Sequence, residues 1–234
     1  MKLSGFPFST IGRWYCRRAC LKEYRKQEKR SVNERPVELR FVFEHLSKTC
    51  PRTVLDIGPG KSSLPHLMSL CGYRVTAIDN IEDYWRGGLF NRHFYVQRDD
   101  ITSPKLTGKF DFITCVSVLE HIREHEAAVR SMFSLLNPGG SLVITCPYNE
   151  TTYVDNVYKQ PGAGYGQNFP YICQIYSRRE IDTWLENSGC DLVAQEYWRF
   201  FTGEYWTFGD RVCPPVEAGK DKLHQITCML FRKR

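Results

Sequence analysis

The spacing of apolar positions changes period along this chain. In VELRFVFEHL, after Pro36, the residues Val37, Phe41 and Leu46 fall with Val42 and Phe43 along one helical face, which predicts a helix. From Thr53 the pattern becomes short apolar runs: TVLDI (53–57), YRVTAID (73–79), HFYVQRD (93–99), KFDFITCVSVL (109–119) and SLVITCP (141–147). Each predicts a strand. Helical stretches stand between some of them: SLPHLMSLCG (63–72) is stopped by Gly72, and EHEAAVRSMFSLL (124–136) runs up to NPGG, which predicts a turn. Near-continuous apolar strands alternating with helices predict a parallel sheet covered on both faces. Right-handed crossovers make such a sheet doubly wound, with ligands at the carboxyl ends of its strands.

After Pro147 this rhythm breaks for a stretch rich in Tyr, Gly and Pro. A helix is expected again in SRREIDTWLENSG, with Ser177 as N-cap and Glu180 three residues on as its capping-box partner. Two strands follow, DLVAQEYWRFF and HQITCMLFRK, joined by an aromatic-rich connection at 202–223. At the other end, residues 1–12 have no periodicity and are expected to fray, and 13–30 predict a polar helix. The expected organisation is a basic arm, 1–30, and one domain, 31–234, with aromatic-rich insertions at 148–176 and 198–223.

Composition adds limits. A chain of 234 residues with 42% hydrophobic and 25% charged residues is an ordinary globular domain. No apolar run is long enough to span a membrane, and the N-terminus lacks an apolar stretch with a cleavage site, so a cytoplasmic location is expected. The ten cysteines contain no CxxC pair, which argues against a thiolate zinc site and for buried free thiols. The net charge of +6 is concentrated in 13–30, where Arg13, Arg17, Arg18, Lys22, Arg25, Lys26, Lys29 and Arg30 face two acids. The remainder is close to neutral, so the base belongs to an arm rather than to a domain.

Candidate chemistry clusters at the strand ends. In LDIGPGKSS, Asp56 ends the first strand, and Gly58 and Gly60 let the backbone turn and approach a ligand. A dinucleotide fingerprint needs a third glycine, where Ser62 and Ser63 stand; a phosphate loop needs a glycine where Leu55 stands. Asp79, followed by Asn80, closes the second strand, and a carboxylate there suits a ribose diol. In RDDI, Asp100 is placed to accept from an adenine amino group and Ile101 to pack on the ring; Asp99 competes by one residue. The fourth strand delivers Ser117, Glu120 and His121 to the same rim.

With these residues in view, VLDIGPG, VTAID, DDI, FDFITCVSVLEHI and LNPGGSLVIT resemble, in order, the motifs of the class I S-adenosylmethionine (SAM) methyltransferases. The resemblance spans about residues 33–234. It implies a Rossmann-like seven-stranded sheet whose last strand is antiparallel, with helices on both faces. It also implies SAM as cofactor, with Asp56, Gly58 and Gly60 bordering the methionine part, Asp79 the ribose and Asp100 the adenine. Ser62 departs from the third small residue that many members carry. ERPVELRFVF before the first strand and SSLP after the loop are similar to bacterial methyltransferases of polysaccharide and natural-product clusters.

Methyl transfer needs an aligned nucleophile and, for a hydroxyl, removal of a proton. His121 is the candidate base; the competing reading is that LEH shapes the pocket. His121 and His125 stand four apart, a spacing that puts two residues on one helical face, but a metal site from them lacks further ligands, so no metal is expected. The aromatic residues of 148–176 and 198–213 are expected to form a lid over the acceptor, with plain packing or a homodimer contact as alternatives. Three classes of function stand open. The leading one is a methyltransferase acting on a hydroxyl of a small molecule, a saccharide or secondary metabolite. The second acts on RNA or protein; the arm suits RNA electrostatically, but no NPPY-type tetrad is present and nucleic acid is disfavoured. The third is a non-catalytic module that uses 13–30 on a membrane surface or a partner.

Overall fold

The computed structural model covers the chain, and residues 7–27, 32–80 and 91–234 are described below. They belong to two units, Met1–Asn33 and Glu34–Arg234. The first contains α1 (Pro7–Lys26), which opens on a proline whose fixed φ and missing N–H suit a first helical position. It therefore begins earlier than the polar helix expected from residue 13. Ile11, Trp14, Tyr15, Leu21 and Tyr24 are exposed along it, and the Arg18 guanidinium lies 4.6 Å from the Trp14 ring centre. The fraying expected of residues 1–6 and the helical end expected at 28–30 lie outside the described residues.

The second unit is an α/β sandwich. It runs α2 (Arg35–Thr49), β1 (Thr53–Ile57), α3 (Leu64–Leu70), β2 (Arg74–Asp79), β3 (Gln97–Arg98), β4 (Phe110–Val116), α4 (His125–Leu135), β5 (Leu136–Pro147), α5 (Arg178–Leu185), β6 (Cys190–Phe201), β7 (Arg211–Ala218) and β8 (Ile226–Lys233). The sheet order is β3-β2-β1-β4-β5-β8-β6-β7. The first five strands are parallel, β8 is antiparallel to β5 and β6, and β7 is antiparallel to β6. Helices cover both faces. Phe41, Val42 and Leu46 of α2 and Leu64 and Met68 of α3 pack on one side with Val54, Phe112 and Val143; Val129, Met132 and Phe133 of α4 and Ile181 and Trp184 of α5 pack on the other with Leu55, Ile113 and Ile144. One strand thus feeds both cores, because successive strand side chains point to opposite faces.

The expected seven strands are all present, and the eighth is an addition at one edge. β7 contains Pro214 and Pro215, which read as a strand breaker in sequence. At an edge a proline removes no ladder hydrogen bond that the sheet needs, so the strand forms there. Two boundaries also differ. Of HFYVQRD only Gln97–Arg98 pairs, against Ile78 and Asp79. NPGG is not a free turn but an irregularity within β5: Phe110 pairs with Leu136 and Phe112 with Ser141, so the residues between bulge out. The α5 capping box is as expected, Ser177 giving its N–H to Glu180 Oε2 at 2.9 Å and its hydroxyl at 2.6 Å.

The cysteines match their expectation by half. All ten are free thiols, but Cys16, Cys20, Cys50, Cys71 and Cys213 are exposed, and the other five are buried. Among the described residues no helix is long and apolar enough to cross a membrane.

Candidate active site

The carboxyl ends of β1, β2 and β4 meet at one rim. At the end of β1 the chain must turn sharply, and Gly58 does so at φ +66°, its N–H donating to Ile78 O at 2.8 Å. A Cβ at Gly58 would lie 2.5 Å from Val118 Cγ1, so neither the backbone conformation nor the space admits a side chain. Gly60, at φ +52°, donates its N–H to Asp79 Oδ2 at 2.9 Å. Asn91 holds the same loop from outside, donating to Gly60 O at 3.0 Å and Ser62 O at 2.9 Å.

The acids of this rim differ in what they already hold. Asp56 is buried; its Oδ1 accepts from Thr114 Oγ1 at 2.6 Å, while Oδ2 has no hydrogen-bond partner among the described residues. Burial, opposed by the Thr114 hydrogen bond and reinforced by Asp79, pushes its carboxyl up to about 7. Burial raises Asp79 too, against the Gly60 N–H. Asp100 accepts from Asn80 Nδ2 at 3.1 Å through one oxygen and from Thr102 N–H and hydroxyl at 2.8 and 2.7 Å through the other. Asp99 is absorbed by its own loop, accepting from the N–H groups of Asp100, Lys105 and Leu106. Ile101 is 5% exposed and packs in the core beside Ile57 and Ile78.

Past β4 the chain makes a second strained turn. Ser117 sits at φ +50° with its N–H on Thr145 O at 3.0 Å. Its hydroxyl is directed inward, donating to Glu38 Oε1 at 2.6 Å. Thr145 Oγ1 donates to the same oxygen at 2.7 Å, and Arg35 Nη1 reaches Glu38 Oε2 at 2.9 Å and Val116 O at 3.3 Å. Glu38 is fully buried, and its carboxylate joins α2 to the ends of β4 and β5.

His121 closes the rim on a single 3₁₀ turn, Leu119–His121. Its Nδ1 lies 2.6 Å from Ile172 O, and a carbonyl only accepts, so the proton is on Nδ1 and Nε2 is the ring's accepting nitrogen. Burial, outweighing the Ile172 hydrogen bond, lowers its pKa and keeps it neutral. The ring stands edge-on to Tyr171 at 4.8 Å, and Tyr171 stacks on Phe169 at 5.1 Å. Tyr158 and Tyr165 extend this wall. Close approach is possible because Gly166, at φ +98°, has no Cβ to strike Tyr158. Tyr165 and Phe169 remain exposed, whereas Tyr148, Tyr176, Phe200, Phe201 and Trp206 are core. The aromatic insertions are therefore partly packing and partly surface.

His121 and His125 do not share a helical face, since α4 begins at His125. His125 Nδ1 accepts from Trp184 Nε1 at 3.1 Å, which occupies it in the α4–α5 contact. Among the described residues no three His, Cys, Asp or Glu side chains are grouped to hold a metal.

The rim thus brings together Asp56, Gly58, Gly60, Asp79, Asn80 and Asp100 on one side and Ser117 and His121 on the other. Sequence reasoning missed Glu38, whose signal was its helical phase: it stands in register with Phe41, Val42 and Leu46, inside the apolar stripe. It also missed Asn91, which has no pattern to announce it.

A family model described as a methyltransferase domain matches residues 24–195. The chain belongs to this methyltransferase domain family. A ubiquinone biosynthesis O-methyltransferase of Xanthomonas axonopodis pv. citri is 32% identical over 180 residues, covering 70% of this chain and 74% of that one. The fold is shared with a 1,6-didemethyltoxoflavin-N1-methyltransferase of Burkholderia thailandensis (TM-score 0.55, 16% identity, 98% of this chain and 91% of that one). A SAM-dependent methyltransferase of Clostridium acetobutylicum is similar (TM-score 0.54, 15% identity, 93% and 99% covered). The methyltransferase uses SAM as its cofactor, which when bound supplies a methyl group on a positively charged sulfur with a good leaving group. The rim fits such a molecule: it holds a buried carboxylate oxygen lacking a donor and a glycine turn that a Cβ would block.

Proposed function

We propose that this methyltransferase transfers its methyl group to a hydroxyl of a small ring-bearing acceptor, a secondary metabolite or saccharide, with His121 as the base. The observation that carries this reading is the tautomer of His121. With Nδ1–H committed to Ile172 O, the neutral ring presents a proton acceptor at Nε2, beside an aromatic wall that suits a planar or ring-shaped face. The O-methyltransferase name of the Xanthomonas relative supports a hydroxyl acceptor.

On the cofactor side, Asp56 receives the ammonium of the methionine part through its unpartnered oxygen. Gly58 and Gly60 pass close to it, Asp79 takes the ribose hydroxyls, and Asn80, Asp100 and Ile101 border the adenine. Ser117 contributes through its backbone turn, since its hydroxyl is held by Glu38. The catalytic domain is residues 31–234 and acts in the cytoplasm; residues 1–30 are an arm whose basic and aromatic side chains suit contact with an anionic surface.

Incubating the purified protein with labelled SAM and panels of phenols, saccharides, amines and RNA tests the reading. Label transfer to phenolic or saccharide hydroxyls is expected. Transfer confined to amines or RNA overturns it.

A further inference from the structure

Directly before His121 stands a second carboxyl group, that of Glu120, also in the interior. Glu120 is 4% exposed, and its Oε2 is a buried oxygen with no hydrogen-bond partner among the described residues. Its Oε1 lies 3.8 Å from His121 Nε2, the same nitrogen that the Ile172 carbonyl leaves as the ring's acceptor. An isolated buried carboxylate is among the most costly groups in a protein interior, and it is retained here at a rim where proton transfer is called for.

Among the described residues, the surroundings explain why its charge is poorly compensated. From α2 and the residue before it come Arg35, Glu38 and Glu34; from β4 and β5, Cys115 and Cys146; from the segment following β5, Tyr158, Tyr171, Cys173 and Tyr176; and on its own turn, His121. The one cation of this set is Arg35, and its guanidinium is bonded to Glu38 at 2.9 Å. The other groups are neutral thiols and phenols, the neutral His121 ring, and further acids. Burial, with Glu38 and Glu34 adding repulsion against the pull of Arg35, pushes Glu120 up to about 8.

We propose that Glu120 is a positioning residue for His121: its carboxyl and the His121 Nε2 hold one proton between them, and loss of that proton opens the imidazole for catalysis. The inference rests on His121 being the base. A contraction of the 3.8 Å separation to hydrogen-bond distance is the kind of tightening expected when a site fills. Below the titration of Glu120, the acid proton sits on the Nε2 lone pair and blocks it. Above it, the acceptor O–H bond breaks, an N–H bond forms at Nε2, and the bonding electron pair stays on the oxygen that attacks. The resulting imidazolium is balanced by the Glu120 carboxylate. Activity therefore rises with pH through the titration of Glu120, not through the ordinary histidine range.

The test reads the protons directly and needs no acceptor. Protein labelled with 13C at glutamate carboxyls and 15N at histidine rings, saturated with SAM, is titrated by NMR from pH 5 to 10, as wild type, E120Q and H121Q. The expected result is one carboxyl signal, absent in E120Q, with a midpoint near 8. In H121Q that midpoint moves by more than half a unit, and in the wild type the His121 nitrogens respond as Glu120 titrates. A Glu120 midpoint in the ordinary carboxyl range, or one indifferent to H121Q, overturns the proposal. SAM binding by calorimetry is expected to be unchanged in E120Q, which controls for a collapsed site. Once an acceptor is in hand, E120Q should lose the rise in kcat near pH 8. If H121A keeps full turnover while the coupled titration is seen, the base assignment fails and the shared proton stands.

Discussion

Gly60 donates its backbone N–H to the carboxylate of Asp79 at 2.9 Å, which ties the loop after β1 to the tip of β2. The contact spans two adjacent strands, so the glycine turn and the acid form one unit. If Asp79 holds the ribose as proposed, a variant there acts twice, on the ligand and on the loop that shapes its site.

Asp79→Ala should weaken SAM binding by about 1.5–3 kcal/mol, the range for lost charge-assisted hydrogen bonds. Asp79→Asn keeps an oxygen for the Gly60 N–H and should lose less. Calorimetry on both folded variants checks this; equal wild-type affinity in both removes Asp79 from the cofactor site.

Gly58→Ala should destabilise the protein by roughly 2–4 kcal/mol, because it adds strain at positive φ to a clash with Val118. Val118→Ala in the same chain relieves the clash but not the strain, so it should restore part of the lost melting temperature. Full restoration would show that φ +66° carries no cost at this position.

How far the sequence reveals this site follows from what kind of interaction builds each part. The strand ends and glycine turn were legible because apolar runs and glycines have local signatures; Asp56, Gly58, Gly60 and Asp79 stand in the expected places at the rim. The capping box of α5 was legible for the same reason, since Ser177 and Glu180 are three residues apart. Glu38 and Thr145 are 107 positions apart along the chain, and their hydrogen bond follows only from α2 lying on the sheet. β7 was hidden because proline signals a break locally, while only the completed sheet makes position 214 an edge.

Glu38→Ala should cost about 2–4 kcal/mol, since it strands the buried Thr145 hydroxyl and removes the tie between α2 and Ser117. Glu38→Gln retains an accepting oxygen and should cost less. Urea melts of the two variants check the order; a Glu38→Ala variant as stable as wild type would mean that α2 is held by its apolar stripe alone.

Asp56 makes cofactor binding and stability depend on pH in opposite senses. Its folded pKa, about 7, lies above its ordinary value, so the folded state holds the proton more tightly. Its contribution to stability is present at low pH and is lost as pH rises from the ordinary carboxyl range through about 7. An ammonium placed on its free oxygen favours the charged form, so binding should tighten with rising pH and release a proton below about 7. Calorimetry of SAM binding at pH 6 in buffers of different ionisation enthalpy measures that proton. No release, together with no effect of Asp56→Asn on affinity, would take Asp56 away from the ammonium.

His121 decides whether the rim performs acid–base chemistry. The Ile172 carbonyl fixes the ring with Nδ1–H inward, and burial keeps it neutral below its ordinary titration range. A neutral ring so oriented accepts a hydroxyl proton once Glu120 has lost its own, a role that contributes about 10²–10⁴-fold to rate. His121→Ala should then lower kcat by that factor while SAM affinity changes little. A pocket-shaping role predicts another pattern, with affinity and turnover falling together and modestly. His121→Asn separates the two further, since its side-chain amide can still donate to Ile172 but offers no basic nitrogen. If packing is what matters, His121→Asn should recover activity that His121→Ala loses; if the base matters, both should be equally slow. Turnover undiminished in both variants would show that the acceptor arrives already deprotonated, as an amine does, and would move this methyltransferase from hydroxyl to nitrogen acceptors.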